Sequence, residues 1–184
     1  MRTQHKIAIF GSDGVGKSSI VIRYGYQEFH EKLARDLEDD YNLLRDIDGK
    51  QYLLSILDAV GNRNFSENCK EFTKECGGFV LVYSLTDKST FNDLQDLREQ
   101  VLRMKGRDDV PIILVGNKCD LEDEREISQD EAANLAKLFN NCTFIESSAK
   151  DDINFSEIFS ELVRQMIMGP VSESPASESP VSED

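Results

Sequence analysis

The sequence predicts an α/β fold, a parallel sheet with helices on both faces. Short continuous apolar runs at Ile7–Phe10, Phe79–Tyr83 and Ile112–Val115 have the length and composition of strands buried on both sides. Stretches with helical apolar spacing separate them, and strands alternating with helices favour parallel pairing. Between the first apolar run and the following helix lies Gly11-Ser-Asp-Gly-Val-Gly-Lys17-Ser18, which fits G-x-x-x-x-G-K-[ST].

Taken in chain order, the strand Ile7–Phe10 delivers the chain into a phosphate-binding loop. In such a loop the backbone N–H groups, here those of Asp13, Gly14, Val15, Gly16, Lys17, Ser18 and Ser19, wrap the phosphates of a nucleotide. Lys17 adds a positive charge over the outer phosphates, and the Ser18 hydroxyl suits Mg²⁺. A helix starting near Lys17 turns its free N–H groups and dipole toward the anion. The strand Tyr52–Leu57 then runs into Asp58-Ala-Val-Gly61, a D-x-x-G segment. Its aspartate can hold Mg²⁺ through water, and Gly61 lets a backbone N–H approach a terminal phosphate. A helix is expected over Thr90–Lys105, before the strand Ile112–Val115.

That strand leads into Asn117-Lys118-Cys119-Asp120, an N-K-x-D segment. A carboxylate such as Asp120 accepts both N–H groups on guanine's Watson–Crick edge, where adenine presents an acceptor instead. A helix over Gln129–Phe139 follows, with Ser128 as its N-cap. The strand Thr143–Glu146 delivers Ser148-Ala149-Lys150, a loop whose N–H can reach guanine O6. Phe155, Ile158, Phe159, Leu162 and Met166, spaced by three and four, mark an amphipathic C-terminal helix. D-x-x-G and S-A-K are weak signals separately. All four segments in this order, each after a strand, specify a site for GDP or GTP with Mg²⁺.

Composition narrows the partners. The formal charge of the 184 residues is −14, which argues against nucleic acid and anionic membrane surfaces. A nucleotide phosphate site survives this, because it depends on local N–H groups and one lysine. The cysteines, at 69, 76, 119 and 142, contain no C-x-x-C pair, and neither a zinc site nor a disulfide framework is suggested. No signal peptide or membrane-length apolar run is present, so a cytoplasmic location with reduced thiols is expected.

Two segments are expected: a folded domain over 1–168 and a tail over 169–184. The tail carries Ser-Glu-Ser-Pro at 172–175 and again at 177–180 and has no basic residue. Its composition predicts disorder. Ser174 and Ser179 precede proline and are open to phosphorylation, or the tail is simply solvated. There is no terminal C-a-a-X cysteine and no glycine after Met1, so no lipid anchor is expected.

With these motifs in place, residues 5–168 resemble a Ras-superfamily small GTPase, most nearly the Rap branch of the Ras family. The similarity to Rap is carried by Ser89-Thr-Phe-Asn-Asp-Leu-Gln-Asp-Leu-Arg-Glu-Gln100, by Asp108-Asp-Val-Pro111 through Asn117-Lys-Cys-Asp-Leu-Glu-Asp-Glu-Arg125, by Glu146-Ser-Ser-Ala-Lys150 and by Leu162-Val-Arg-Gln165. The resemblance implies a P-loop NTPase fold with a six-stranded, mostly parallel sheet and five helices. It also implies a GDP/GTP switch read by effector proteins, in a monomer. By position, Phe29 would clamp the guanine edge-on, or serve as an ordinary core aromatic. Asn117 and Lys118 would brace the base and the loop, and Ser18 would ligate Mg²⁺.

The departures from the family pattern fall where the γ-phosphate is sensed and hydrolysed. Lys17 and Asp58 are 41 residues apart, the family register, so intervening positions compare without gaps. Asp36 stands where the family places the Mg²⁺-binding threonine, and Phe29–Arg45 contains no Thr or Ser. Asp36 either ligates the metal itself or repels the phosphate. Asp13 replaces a glycine; two unit charges ~5 Å apart repel by roughly 3 kcal/mol at an effective dielectric near 20. Asn62 replaces the water-orienting glutamine of Ras or the threonine of Rap, and is one methylene shorter than glutamine. It is either a catalytic stand-in or an exposed polar residue. Leu37-Glu38-Asp39-Asp40-Tyr41 resembles the family's effector segment, offering Glu38, Asp39 and Tyr41 to Ras-binding-type effector domains by strand addition. The same acidic residues equally suit an edge strand guarded against aggregation.

These features leave three expectations open: a nucleotide-binding signalling protein with impaired hydrolysis and switching, an active GTPase with atypical switches, and a nucleotide-independent scaffold. Asp120 argues against an ATP-using enzyme.

Overall fold

The computed structural model describes residues 4–26, 40–59 and 67–169. Its centre is a six-stranded sheet in the order β2-β3-β1-β4-β5-β6. The strands are β1 (Gln4–Phe10), β2 (Asp40–Ile47), β3 (Lys50–Asp58), β4 (Gly78–Ser84), β5 (Ile112–Asn117) and β6 (Thr143–Glu146). All pairings are parallel except β2 with β3. That pair is a hairpin in which Ile47 faces Lys50 across Asp48-Gly49, both at positive φ (54° and 78°). A two-residue turn of this kind matches the right-handed twist of its strands. The apolar runs of the sequence lie within β1, β4 and β5, where they are buried, each strand two or three residues longer than its run, and β6 spans the expected residues.

The helices are α1 (Lys17–Tyr26), α2 (Glu67–Glu75), α3 (Lys88–Asn92), α4 (Leu94–Lys105), α5 (Gln129–Leu138) and α6 (Phe155–Met168). The single helix expected over Thr90–Lys105 is therefore two, divided at Asp93, which gives six α-helical segments among the described residues where the resemblance implied five. Asp87 starts α3 by accepting the Ser89 N–H at 2.9 Å. The helices cover both faces of the sheet. Ile7, Ile9, Ile56 and Val80 pack with Ile20 of α1 and with Ile158, Phe159 and Leu162 of α6. Ala8, Phe10, Phe79 and Leu81 pack with Leu94, Leu97 and Val101 of α4 and Ala132 of α5. Alternate residues of β1 thus serve opposite cores, as the two-residue strand period requires.

Helix ends are fixed by side chains from elsewhere. Arg45 of β2 donates to the Tyr24 and Gly25 carbonyls (2.7 and 2.8 Å) in the last turn of α1, while its guanidinium lies 4.9 Å from the Tyr24 ring centre. Lys105 donates to the Lys74 and Cys76 carbonyls at the end of α2 (2.8 and 2.7 Å). The last carbonyls of both helices are met by cations, which also suit the dipole.

Ser128 is the N-cap of α5, as the sequence implies, and forms a complete capping box with Glu131. Lys88 and then the Ser128 groups, all donating to the Glu131 carboxylate, pull its pKa from 4.5 to about 2. A carboxylate depressed on folding contributes stability above its ordinary pKa and loses it as pH falls through the folded value. The contribution of Glu131 should therefore be present above pH 4.5 and fade toward about pH 2. Ser128→Ala should cost about 1 kcal/mol in urea unfolding at neutral pH. It should also raise the Glu131 titration midpoint measured by NMR; an unmoved midpoint would exclude the hydrogen bond from the Ser128 hydroxyl to the Glu131 carboxylate.

Candidate functional site

The phosphate loop runs from the end of β1 to the start of α1, and its shape depends on two glycines. Gly14 (φ 78°) and Gly16 (φ 97°) occupy the left-handed region that side chains rarely adopt. A Cβ at Gly16 would lie 2.3 Å from Asn117 Nδ2, so this glycine also permits close approach between distant segments. At Gly14 a Cβ would meet nothing within 4 Å, and Asp13 beside it is exposed. Helix α1 begins at Lys17, and by helix geometry the N–H groups of Lys17, Ser18 and Ser19 have no carbonyl inside the helix to meet. They form a ready anion site.

Lys17 is only 7% exposed. Its Nζ donates to the Gly11 carbonyl at 2.6 Å and the Ser12 carbonyl at 3.1 Å. An ammonium has three donors, so one remains for a ligand. Burial pushes the Lys17 pKa down, while the carboxylates of Asp58 and Asp13 act against that shift. Asp58, at the end of β3, is 3% exposed. Burial pushes its pKa up, opposed by the Ser18 hydrogen bond and the Lys17 charge. Ser18 Oγ donates to Asp58 Oδ2. Asp58 Oδ1 is buried with no partner among the described residues. A buried carboxylate oxygen lacking a donor is costly unless a ligand meets it. Water on a hydrated Mg²⁺ would supply such a donor, and Ser18 Oγ would offer the ion an oxygen. The residues fit the metal.

The second half of the site lies beyond β5 and β6. Asn117 is 2% exposed, and its Nδ2 donates to the Val15 carbonyl at 2.8 Å. Its Oδ1 accepts from Ser147 Oγ at 3.2 Å. One side chain therefore ties the phosphate loop to the Ser147-Ser148-Ala149-Lys150 segment. Lys118 follows at φ 68°, left-handed backbone that a lysine adopts only under constraint. Asp120 is half-buried, and its Oδ1 accepts from Ser148 Oγ at 2.7 Å. Ser148 Oγ in turn accepts the Asp151 N–H at 3.0 Å, so the loop fixes the hydroxyl that fixes the carboxylate. Ala149 is buried and Lys150 exposed.

The structure brings together Gly14, Val15, Gly16, Lys17, Ser18 and Asp58 as one cluster and Asp120 with Ser148 as another, with Asn117 joining them. Phe29, Asp36, Glu38, Asp39, Gly61 and Asn62, with the tail beyond residue 169, lie outside the described residues. Tyr41 requires a correction. It was offered, with Glu38 and Asp39, to effector domains, but it is 7% exposed and belongs to the core that includes Ile20, Tyr24 and Ile56. Paired with Ile56 on β3, its ring turns inward, because residues on the same face of adjacent strands share one side of the sheet. Sequence reasoning also missed Ser147, Ser12 and Asp93. The repeated serine in Glu146-Ser-Ser-Ala-Lys150 hinted at the first; no local pattern marked the others.

Compared with protein-family models, residues 6–168 match the one described as the Ras family.

Proposed function

The chain belongs to the Ras family, and from that premise we propose that this GTP-binding small GTPase signalling protein is a Rap-like member with impaired GTP hydrolysis and switching. The observation that carries the reading is a division of labour. Groups suited to hold a diphosphate and groups suited to read guanine are joined through Asn117. The substitutions fall at Asp13, Asp36 and Asn62, the positions that answer to the third phosphate. Such a protein would occupy mainly its GDP form and act as a signalling adaptor. Glu38 and Asp39 would give basic Ras-binding-type domains an acidic edge to join. We assign residues 1–168 to the nucleotide domain and 169–184 to an acidic tail, in a cytoplasmic monomer.

Several measurements on the full chain test this. Mass spectrometry of co-purified small molecules should find GDP, and labelled GDP should bind at micromolar protein. Phosphate release from GTP should stay low, with and without an activating protein. Rapid release in either condition would select the active GTPase with atypical switches. Absence of any binding, with a melting temperature indifferent to GDP and Mg²⁺, would select the scaffold, since a bound ligand must stabilise the fold.

A further inference from the structure

Asp93 stands between α3 and α4, where a capping carboxylate ordinarily bonds to its own helix. It makes no such bond, and its backbone is helical (φ −73°, ψ −15°). Its Oδ2 instead accepts from Ser12 Oγ at 2.6 Å, a contact across 81 positions. The Ser12 carbonyl accepts from Lys17 Nζ at 3.1 Å. We propose that Asp93 is a positioning residue for the phosphate loop: through Ser12 it holds the loop in its nucleotide-retaining shape, so that the α3–α4 junction governs how fast a nucleoside diphosphate leaves. This rests on the guanine-nucleotide reading above.

A loop with two left-handed glycines is costly to order, because glycine loses the most backbone freedom on folding. Two long-range tethers hold it. Asn117 fastens its far side at the Val15 carbonyl (2.8 Å), and Asp93 fastens its near side at the Ser12 hydroxyl. The exposed residues Asp13 and Gly14 lie between those two points. The Asp93 tether has a charged acceptor, which makes it the stronger kind of hydrogen bond. Because Ser12 also presents a carbonyl to Lys17, movement of Ser12 displaces the ammonium that faces the phosphates. The carboxylate is thus withdrawn from the α4 terminus and committed to the loop.

The test loads the full chain with a fluorescent GDP analogue and follows its release into excess GDP. Ser12→Ala and Asp93→Ala should each speed release about tenfold, the effect of losing one charge-assisted hydrogen bond. The double variant should be no faster than the quicker single one, since both remove the same tether. Ser12→Thr, which keeps the hydroxyl, should release near the wild-type rate. A merely structural role would lower urea stability in Ser12→Ala while leaving release unchanged, and would overturn the proposal. Effects that multiply in the double variant would overturn it too. Should Asp93→Ala fail to fold, Ser12→Ala against Ser12→Thr decides the matter. Wild-type protein that takes up no analogue defeats the guanine reading and this one together; wild-type loading with unaltered variants defeats only this one.

Discussion

Asp120→Ala should weaken GDP binding by about 1.5–3 kcal/mol for each of the two charge-assisted hydrogen bonds it removes, roughly ten- to a hundredfold per bond. The carboxylate is already held in place. Ser148 Oγ donates to its Oδ1 at 2.7 Å, and Ser148 is itself buried and fixed by the Asp151 N–H. A half-buried acceptor with one oxygen already oriented gives up little freedom when a base arrives. The substitution also strands the Ser148 hydroxyl, which still accepts from Asp151 but loses the acceptor for its own proton. Nucleotide-free melting temperature should therefore be recorded beside affinity. Titration with GDP decides the point: an affinity equal to wild type would remove Asp120 from base reading. Discrimination against adenine nucleotides should shrink in the same variant, because the phosphate cluster around Lys17 does not sense the base.

How much of this was legible in the sequence depended on how local each signal was. β1, β4 and β5 are buried over most of their length and announce themselves as apolar runs. Ser128 marked the start of α5 because the capping box lies within four residues. Strand β2 was harder to see. Its inward positions are Tyr41, Leu43, Arg45 and Ile47, and the charged Arg45 breaks the apolar alternation because it serves α1. Helix α2 reads Glu-Asn-Cys-Lys-Glu-Phe-Thr-Lys-Glu, amphipathic but with few apolar residues to mark it. The break at Asp93 was hidden by Leu94, Leu97 and Val101, whose helical spacing continues the pattern of the preceding turn.

The candidate site divides in the same way. Loops suited to bind through backbone groups need particular residues in fixed order, so Gly14, Gly16, Lys17 and Ser18 stood out as candidates from their motif, and Asp58 and Asp120 from theirs. The contacts that join these pieces span 102 positions between Asn117 and Val15, and 81 between Ser12 and Asp93. Nothing periodic records such pairings, and only the strand order brings them together. Tyr41 was misplaced for a related reason. Its neighbours Asp39 and Asp40 are acidic, but a strand alternates its faces, and composition alone does not say which face is wet.

Asp13→Gly combined with Asp36→Thr should raise the preference for GTP over GDP by tenfold or more, about 1.4 kcal/mol. The bare Coulomb repulsion between Asp13 and an added phosphate charge is roughly 3 kcal/mol at ~5 Å. Asp13 is exposed, so solvent and salt reduce that figure. The second consequence of Asp13 runs the same way: its charge acts on buried Lys17, offsetting part of the ammonium's attraction for a phosphate. Removing it both lifts a repulsion and restores an attraction. Asp36 is expected to contribute less, because a carboxylate that ligates Mg²⁺ recovers some of what it loses to phosphate repulsion. The single variants separate these terms, with Asp13→Gly carrying the larger share and losing it as ionic strength rises. Competitive binding of GTP and GDP at low and high salt gives the ratio. A ratio that stays at the wild-type value in the double variant would show that charge at these positions is not what sets the nucleotide preference.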